Sequence, residues 1–195
     1  MSTDTVLVAA PIFAEFREAL LSNLENINKT GNEIQRLITI KAAARVRSLV
    51  QNAVANGAII HTAPTTNQET NNLNPDAAMV PATIIEGLNN SMELFTVEAF
   101  GPLLSIIPIK SAAEGIDMVN ACNYGLSSAI HTRNHYQALS FAKKMKVSAV
   151  HINGATVHDE STLPHGGHGD SGWGRFGGEW GLQEFVHTKT VIMNS

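Results

Sequence analysis

Several things are scarce in this chain, and each scarcity excludes a class of protein. One cysteine, Cys122, in 195 residues rules out an internal disulfide and fits a reducing compartment. Charged residues make up only 15%, and 13 Lys and Arg stand against 17 Asp and Glu, a net charge of −4. With no basic stripe to neutralise a phosphate backbone, nucleic acid is not an expected partner. No apolar run approaches membrane-spanning length, and the N-terminus MSTDTVLVAAPIF lacks the basic region and long apolar stretch of a signal peptide. The expectation is a soluble, cytoplasmic protein that avoids membranes. The sequons at Asn28 and Asn89 then carry little meaning, because glycosylation needs secretion. There is no Gly-Lys-Ser or Gly-Lys-Thr tripeptide either, which argues against a P-loop.

Glycine, by contrast, is concentrated. Eight of the sixteen residues 166–181 are glycine, with Trp173, Arg175, Phe176, Glu179 and Trp180 set among them. A flexible tether is rich in Gly and Ser and avoids large rings, whereas HGGHGDSGWGRFGGEWGL reads as a folded turn that needs positive φ and close backbone approach. Such a loop either borders a pocket or is a structural surface loop.

Along the chain, residues 4–9 form a short apolar run, and Pro11 precedes Phe13, Phe16 and Leu20 at helical spacing. Val46, Leu49, Val50, Ala53 and Val54 mark the clearest amphipathic helix, stopped by Gly57. Residues 58–61, 78–85, 103–109, 126–131 and 147–152 are strand-like, although Pro108 argues against a central position for that residue. Residues 65–75 (TTNQETNNLNP) read as an exposed loop. Ser111 with Glu114 forms a capping box for a helix to about Cys122, and Asn134 with Gln137 repeats the pattern before Tyr136, Leu139, Ala142 and Met145. Short strands alternating with helices predict the α/β class with a mostly parallel sheet. In such sheets ligands sit beyond the carboxyl ends of strands, and residues 147–152 lead into Asn153, Gly154 and the glycine-rich loop. The last strand-like stretch runs from Thr188 to Met193 with nothing after it to pair with, and an unpaired strand seeks another sheet.

Candidate chemistry is sparse. Cys122 falls at the end of a helix, where the dipole disfavours a thiolate, so it reads as a small buried apolar residue rather than a nucleophile. His158, Asp159, Glu160, His165 and His168 lie close in sequence but lack metal-ligand spacing, and no metal is expected. Glu98, in Val97-Glu98-Ala99-Phe100-Gly101-Pro102, is either an exposed glutamate before a strand or a carboxylate that accepts hydrogen bonds from a diol beside an aromatic ring.

Four blocks, VEAFGPLLSI (97–106), NYGLSS (123–128), SAVHINGATVHDE (148–160) and LPHGGHGDSGWGRFGGEWGLQEF (163–185), resemble in order and spacing the C-terminal part of an NAD(P)-dependent aldehyde dehydrogenase, similar to the salicylaldehyde and vanillin dehydrogenase branch. The resemblance implies a partial catalytic domain over residues 1–187 and an oligomerisation strand over 188–195, through which a homo- or hetero-oligomer would form. It implies that Glu98 binds the nicotinamide ribose of NAD or NADP with Phe100 packed beside it, and that Asn153 and His165 lie in the pocket of a small aromatic aldehyde. In the family a cysteine directly precedes the Met-Ser-Thr that opens this segment, so Met1 stands one residue past the nucleophile. The resemblance therefore leaves no catalytic residue here, and neither the general-base glutamate, the oxyanion asparagine nor the cofactor domain. Gly169 also stands where many relatives carry lysine. Three outcomes stay open: a truncated enzyme inactive alone, a noncatalytic partner of a full-length relative, or a fragment of a mispredicted or broken gene, with a specialised-metabolite pathway as one source.

Overall fold

The computed structural model describes residues 2–27, 36–64 and 78–194. The sequon at Asn28 and the expected loop 65–75 lie outside the described residues. The chain divides into two compact units, Thr3–Gly115 and Ile116–Ser195 with Met1–Ser2.

In the first unit, β1 (Thr5–Ala9), β2 (Ile59–Thr62), β3 (Thr83–Glu86) and β4 (Leu103–Ile109) form one sheet in the order β1-β4-β3-β2. β4 runs parallel to β1, pairing Thr5 with Ser105, and parallel to β3, pairing Thr83 with Leu103. The expected α/β class holds, but β2 pairs antiparallel with β3. Strand direction leaves no trace in apolar patterning, so the residues alone could not reveal it. The strand expected over 78–85 is shorter, because Pro81 cannot donate to a ladder. Only an isolated bridge, Met79 to Arg36, precedes it.

Alternation along the strands assigns the two faces. Ile84, Leu104 and Ile106 pack with Phe13, Phe16, Leu20 and Leu24 of helix α1 (Phe13–Asn26), which follows a 3-10 turn, Ala10–Ile12, containing Pro11. Ile85, Leu103 and Ile107 pack with Ala43, Val46, Leu49 and Ala53 of α2 (Ile40–Ala55) on the opposite face. Every residue of β3 is consequently buried. The stripe on α2 is the expected one, except that Val54 turns outward. Thr39 caps its start by accepting from the Ala42 amide at 3.1 Å. At its end Gly57, at φ 95°, lets Gly57 and Ala58 donate back to Val54 and Ala53.

Pro108 sits in the central strand without breaking it. The amide of Ser105 points to β1 and the carbonyl of Pro102 points to β3, so by alternation residue 108 also faces β3. The β3 ladder has already ended, at Glu86 opposite Ile106. The missing N–H therefore leaves no bond unmade.

The polar centre of this unit is Glu86 at the end of β3. Arg17 of α1 donates from Nε to both carboxylate oxygens at 2.8 and 2.9 Å, and His61 Nε2 of β2 lies 2.6 Å from Oε1. The register places Glu86 opposite Ile59 and His61 opposite Ile84, on the face that α1 covers.

Helix α3 (Ala112–Ala121) opens on the expected capping box: Ser111 Oγ accepts from the Glu114 amide at 3.2 Å. The Glu114 carboxylate reaches back to the Lys110 amide at 2.6 Å, one residue earlier than in the usual box. The second unit holds β5 (Ser127–Ile130) and β6 (Ala149–Ile152) as a two-stranded parallel sheet, with α4 (His135–Ala142) between them and α5 (Gly178–Gln183) near its end. Asn134 caps α4 as expected, accepting from Gln137 at 3.0 Å. Helix α5 was not expected. Cys122 is exposed rather than buried, because it lies past the last turn of α3. Among the described residues, 188–193 pair with no strand, and Val191, Ile192 and Met193 are exposed.

Removing the Glu86 carboxylate strands two basic groups at a largely buried site. Glu86→Ala is expected to cost about 3 kcal/mol, read as a lower urea midpoint at unchanged slope.

Candidate functional site

The residues singled out from sequence fall on both units: Glu98 and Phe100 in the first, Asn153 and His165 in the second. Glu98 and Phe100 share one turn, located where the chain enters β4, at its amino end. Asn153 follows β6 directly, at a carboxyl end, as expected.

The Glu98 turn is held by its backbone. Arg45 of α2 donates to the Glu98 carbonyl at 2.7 Å and to the Ala99 carbonyl at 2.8 Å. Burial raises the Asp4 carboxyl above its ordinary value, an effect that the nearby Ala99 backbone partly offsets. Gly101 lies so close to Val46 of α2 that a Cβ there would come within 2.7 Å of a Val46 methyl. This clamping forces Phe100 to φ 48°, a left-handed conformation costly for an aromatic residue, and leaves its ring 81% exposed. Among the described residues the Glu98 carboxylate accepts no hydrogen bond, so it remains available as an acceptor. Burial holds its pKa above the ordinary glutamate value, and the negative charge of Asp4 adds to that.

In the second unit, Asn153 takes φ 57° and its amide is engaged. Its Oδ1 accepts from the Thr132 amide at 2.8 Å and its Nδ2 donates to the Thr132 carbonyl at 2.9 Å, tying the end of β6 to the chain leaving β5. His165 exchanges both backbone bonds with Phe176 at 2.7 Å, their rings 4.9 Å apart. Its Nδ1 lies 3.4 Å from Asp159. His158 pairs instead with Glu160 at 3.1 Å. Among the described residues no three His, Cys, Asp or Glu side chains converge to hold a metal.

The glycine-rich segment is the folded turn that its composition implied. Gly169, Gly172, Gly174, Gly177 and Gly178 all take positive φ. A Cβ on Gly169 would stand 2.2 Å from the Asn123 carbonyl, which already accepts from Asp170 at 2.8 Å. Arg175 is the hub that sequence reasoning missed. It donates to the Gly167 and Gly174 carbonyls at 2.8 and 2.6 Å and to Ser148 Oγ, just before β6, at 3.0 Å. A single arginine inside a glycine-rich turn was the available clue, because a guanidinium can satisfy several carbonyls at once.

The clamped Glu-Ala-Phe-Gly-Pro turn and the arginine-organised glycine loop both lie within residues 1–191, which the aldehyde dehydrogenase family profile matches. The chain belongs to the aldehyde dehydrogenase family. It is 28% identical over 201 residues to a vanillin dehydrogenase of Pseudomonas fluorescens, spanning 100% of this chain and 40% of that protein. With a benzaldehyde dehydrogenase of Bacillus subtilis it shares 31% identity over 197 residues, 98% of this chain and 39% of the relative. Among solved structures, a salicylaldehyde dehydrogenase of Pseudomonas putida G7 complexed with salicylaldehyde superposes with a TM-score of 0.81 at 28% identity, covering 93% of this chain and 37% of that one. The chain thus spans about 40% of the length of the curated relatives it matches. Other solved family members hold NADP or NAD+.

The lysine that the family resemblance places at 169 would not fit this aldehyde dehydrogenase loop. Gly169→Lys is expected to displace the segment from Asn123, destabilising the chain by about 2 kcal/mol or more and opening residues 166–181 to limited proteolysis.

Proposed function

We propose that this chain builds the cofactor-ribose and substrate-loop parts of an NAD(P)-dependent aldehyde dehydrogenase acting on small aromatic aldehydes, with the nucleophile supplied from outside these 195 residues. One observation carries the reading: among the described residues the Glu98 carboxylate accepts no hydrogen bond, while both its own carbonyl and that of Ala99 are pinned by Arg45. A fixed carboxylate with open acceptor sites suits a vicinal diol, the donor pair that a ribose presents. Phe100 supplies an adjacent flat apolar face. When bound, NAD(P) provides the two-electron acceptor for aldehyde oxidation. The chain's own residues bind and orient: in the second unit Asn153 and His165 are assigned to the aldehyde, Asn153 being held at the end of β6 by Thr132. The vanillin, benzaldehyde and salicylaldehyde dehydrogenases among the relatives support the aromatic class.

The lone thiol, Cys122, is exposed past the carboxyl end of α3 and not at a helix N-terminus, where nucleophilic thiols are found. The purified chain is therefore expected to produce no NADH from salicylaldehyde above background, and turnover at ordinary enzyme rates would overturn the reading. A chimera that adds the part of the Pseudomonas fluorescens vanillin dehydrogenase not spanned here is expected to oxidise vanillin. In that chimera Glu98→Gln should raise KM for NAD by roughly tenfold, the equivalent of one lost charged hydrogen bond. An unchanged KM would remove Glu98 from ribose binding.

The exposed residues Val191, Ile192 and Met193 favour a second reading, compatible with the first, in which this cytoplasmic chain docks on a sheet of another subunit through the stretch from Thr188 to Met193. Size-exclusion chromatography with light scattering should show association or co-elution with a full-length relative, lost when residues 188–195 are deleted. A dispersed monomer that never co-elutes would reject it. Reading the genomic sequence upstream of the Met1 codon distinguishes a partner protein from one part of a longer product: an in-frame cysteine codon preceded by a cofactor domain would restore the whole enzyme.

A further inference from the structure

Among the described residues, one buried side-chain nitrogen or oxygen has no hydrogen-bond partner, and it is Nε2 of His151 in β6. Leaving such an atom unpaired costs free energy that an apolar side chain of the same shape would not. Register pairs Ala149 with Ser127 and His151 with Ala129, so these four side chains lie on one face of the two-stranded sheet, with small residues around the imidazole. Asn153, at φ 57°, then turns the chain back over that face. A Cβ on Gly154 would stand 3.8 Å from the His151 Cβ, and Ser127 Oγ donates to the Thr156 carbonyl at 3.3 Å. His158 meets His151 edge-on, their ring centroids 6.2 Å apart. Its own Nε2 is engaged with Glu160 at 3.1 Å, and its side chain is more than half exposed. The loop over His151 therefore offers it a ring but no bond, and the same loop starts at Asn153 and leads on to His165.

We propose that His151 is a specificity-determining residue, whose Nε2 is kept for a hydroxyl on the ring of an aromatic aldehyde and is reached when His158 swings aside. The inference rests on the reading that assigns Asn153 and His165 to the aldehyde, and it names the substituent that this site selects. An imidazole nitrogen donates in one tautomer and accepts in the other. A hydroxyl answers either, whereas an ether or carbonyl oxygen can only accept. A site with a buried polar group discriminates strongly, because a ligand without the matching hydroxyl leaves that group unpaired. Salicylaldehyde and vanillin carry a ring hydroxyl and benzaldehyde does not, and dehydrogenases named for all three stand among the relatives. His151 places this chain with the hydroxylated rings.

Imidazole-nitrogen NMR of the whole chain tests this without turnover. Salicyl alcohol and benzyl alcohol serve as probes, because they differ only in the ring hydroxyl and form no imine with lysine. Salicyl alcohol is expected to move the His151 Nε2 resonance and benzyl alcohol to leave it in place, while signals of Asn153 and His165 respond to both. An unmoved Nε2 beside responding Asn153 and His165 would overturn the inference and leave the aldehyde reading standing. No response at any of the three would overturn both for this chain. In His151→Phe the two probes should bind equally, and the urea midpoint should stay level or rise, since no unpaired group remains. A lower midpoint, with no preference for salicyl alcohol in the unaltered chain, would assign the atom to a bound water only and overturn the proposal. In the chimera with the vanillin dehydrogenase, His151→Phe should lower kcat/KM for salicylaldehyde about tenfold relative to benzaldehyde. An unchanged ratio would count against the residue as firmly as an unmoved resonance. If His151→Phe does not fold, the titration of the unaltered chain decides.

Discussion

The parallel pairing of β4 with β1 on one side and β3 on the other is the constraint from which the first unit follows. It buries β3 and much of β4 between α1 and α2, and it brings the amino ends of β1 and β4 together. Packing of Gly101 against Val46 draws the Glu98 turn, which leads into β4, onto α2. A shift in register by one residue would exchange the faces of Leu104, Ser105 and Ile106, so the core and the turn are specified together.

Both candidate elements are built by the same physical device. Each is a stretch of irregular backbone whose carbonyls would be unsatisfied without an arginine from a regular element or from the loop itself. Arg45 serves the Glu98 turn and Arg175 serves the glycine-rich segment. A planar, permanently charged group with several donors suits this task better than lysine, because it bridges carbonyls in a fixed geometry. The strain at Phe100 and the run of positive φ in the glycine loop are tolerated because these contacts over-determine the local conformation. Side chains left outside this network, the Glu98 carboxylate and the Phe100 ring, are the ones available to a ligand.

Much of this was legible in the residues. The apolar stripe on α2, the caps at Ser111 and Asn134, the stop at Gly57 and the positive-φ demand of residues 166–181 are local effects, decided within one turn of chain. Contacts between distant segments were not legible. Glu86 carries no mark in sequence of its meeting with Arg17, 69 residues away, or with His61, 25 residues away. Cys122 read as buried and is exposed, because one residue of difference in where α3 ends decides which way it faces.

The sequence by itself determined the class of fold and the family, and it marked the glutamate before a Gly-Pro turn as a candidate, since these rest on residue identity and short-range order. Only the tertiary structure decided the antiparallel direction of β2, the tolerance of Pro108 and the clamping of the Glu98 turn against α2. These depend on which strands become neighbours and where each ladder ends. That is a property of long-range packing, and period-two alternation, identical for either strand direction, cannot encode it.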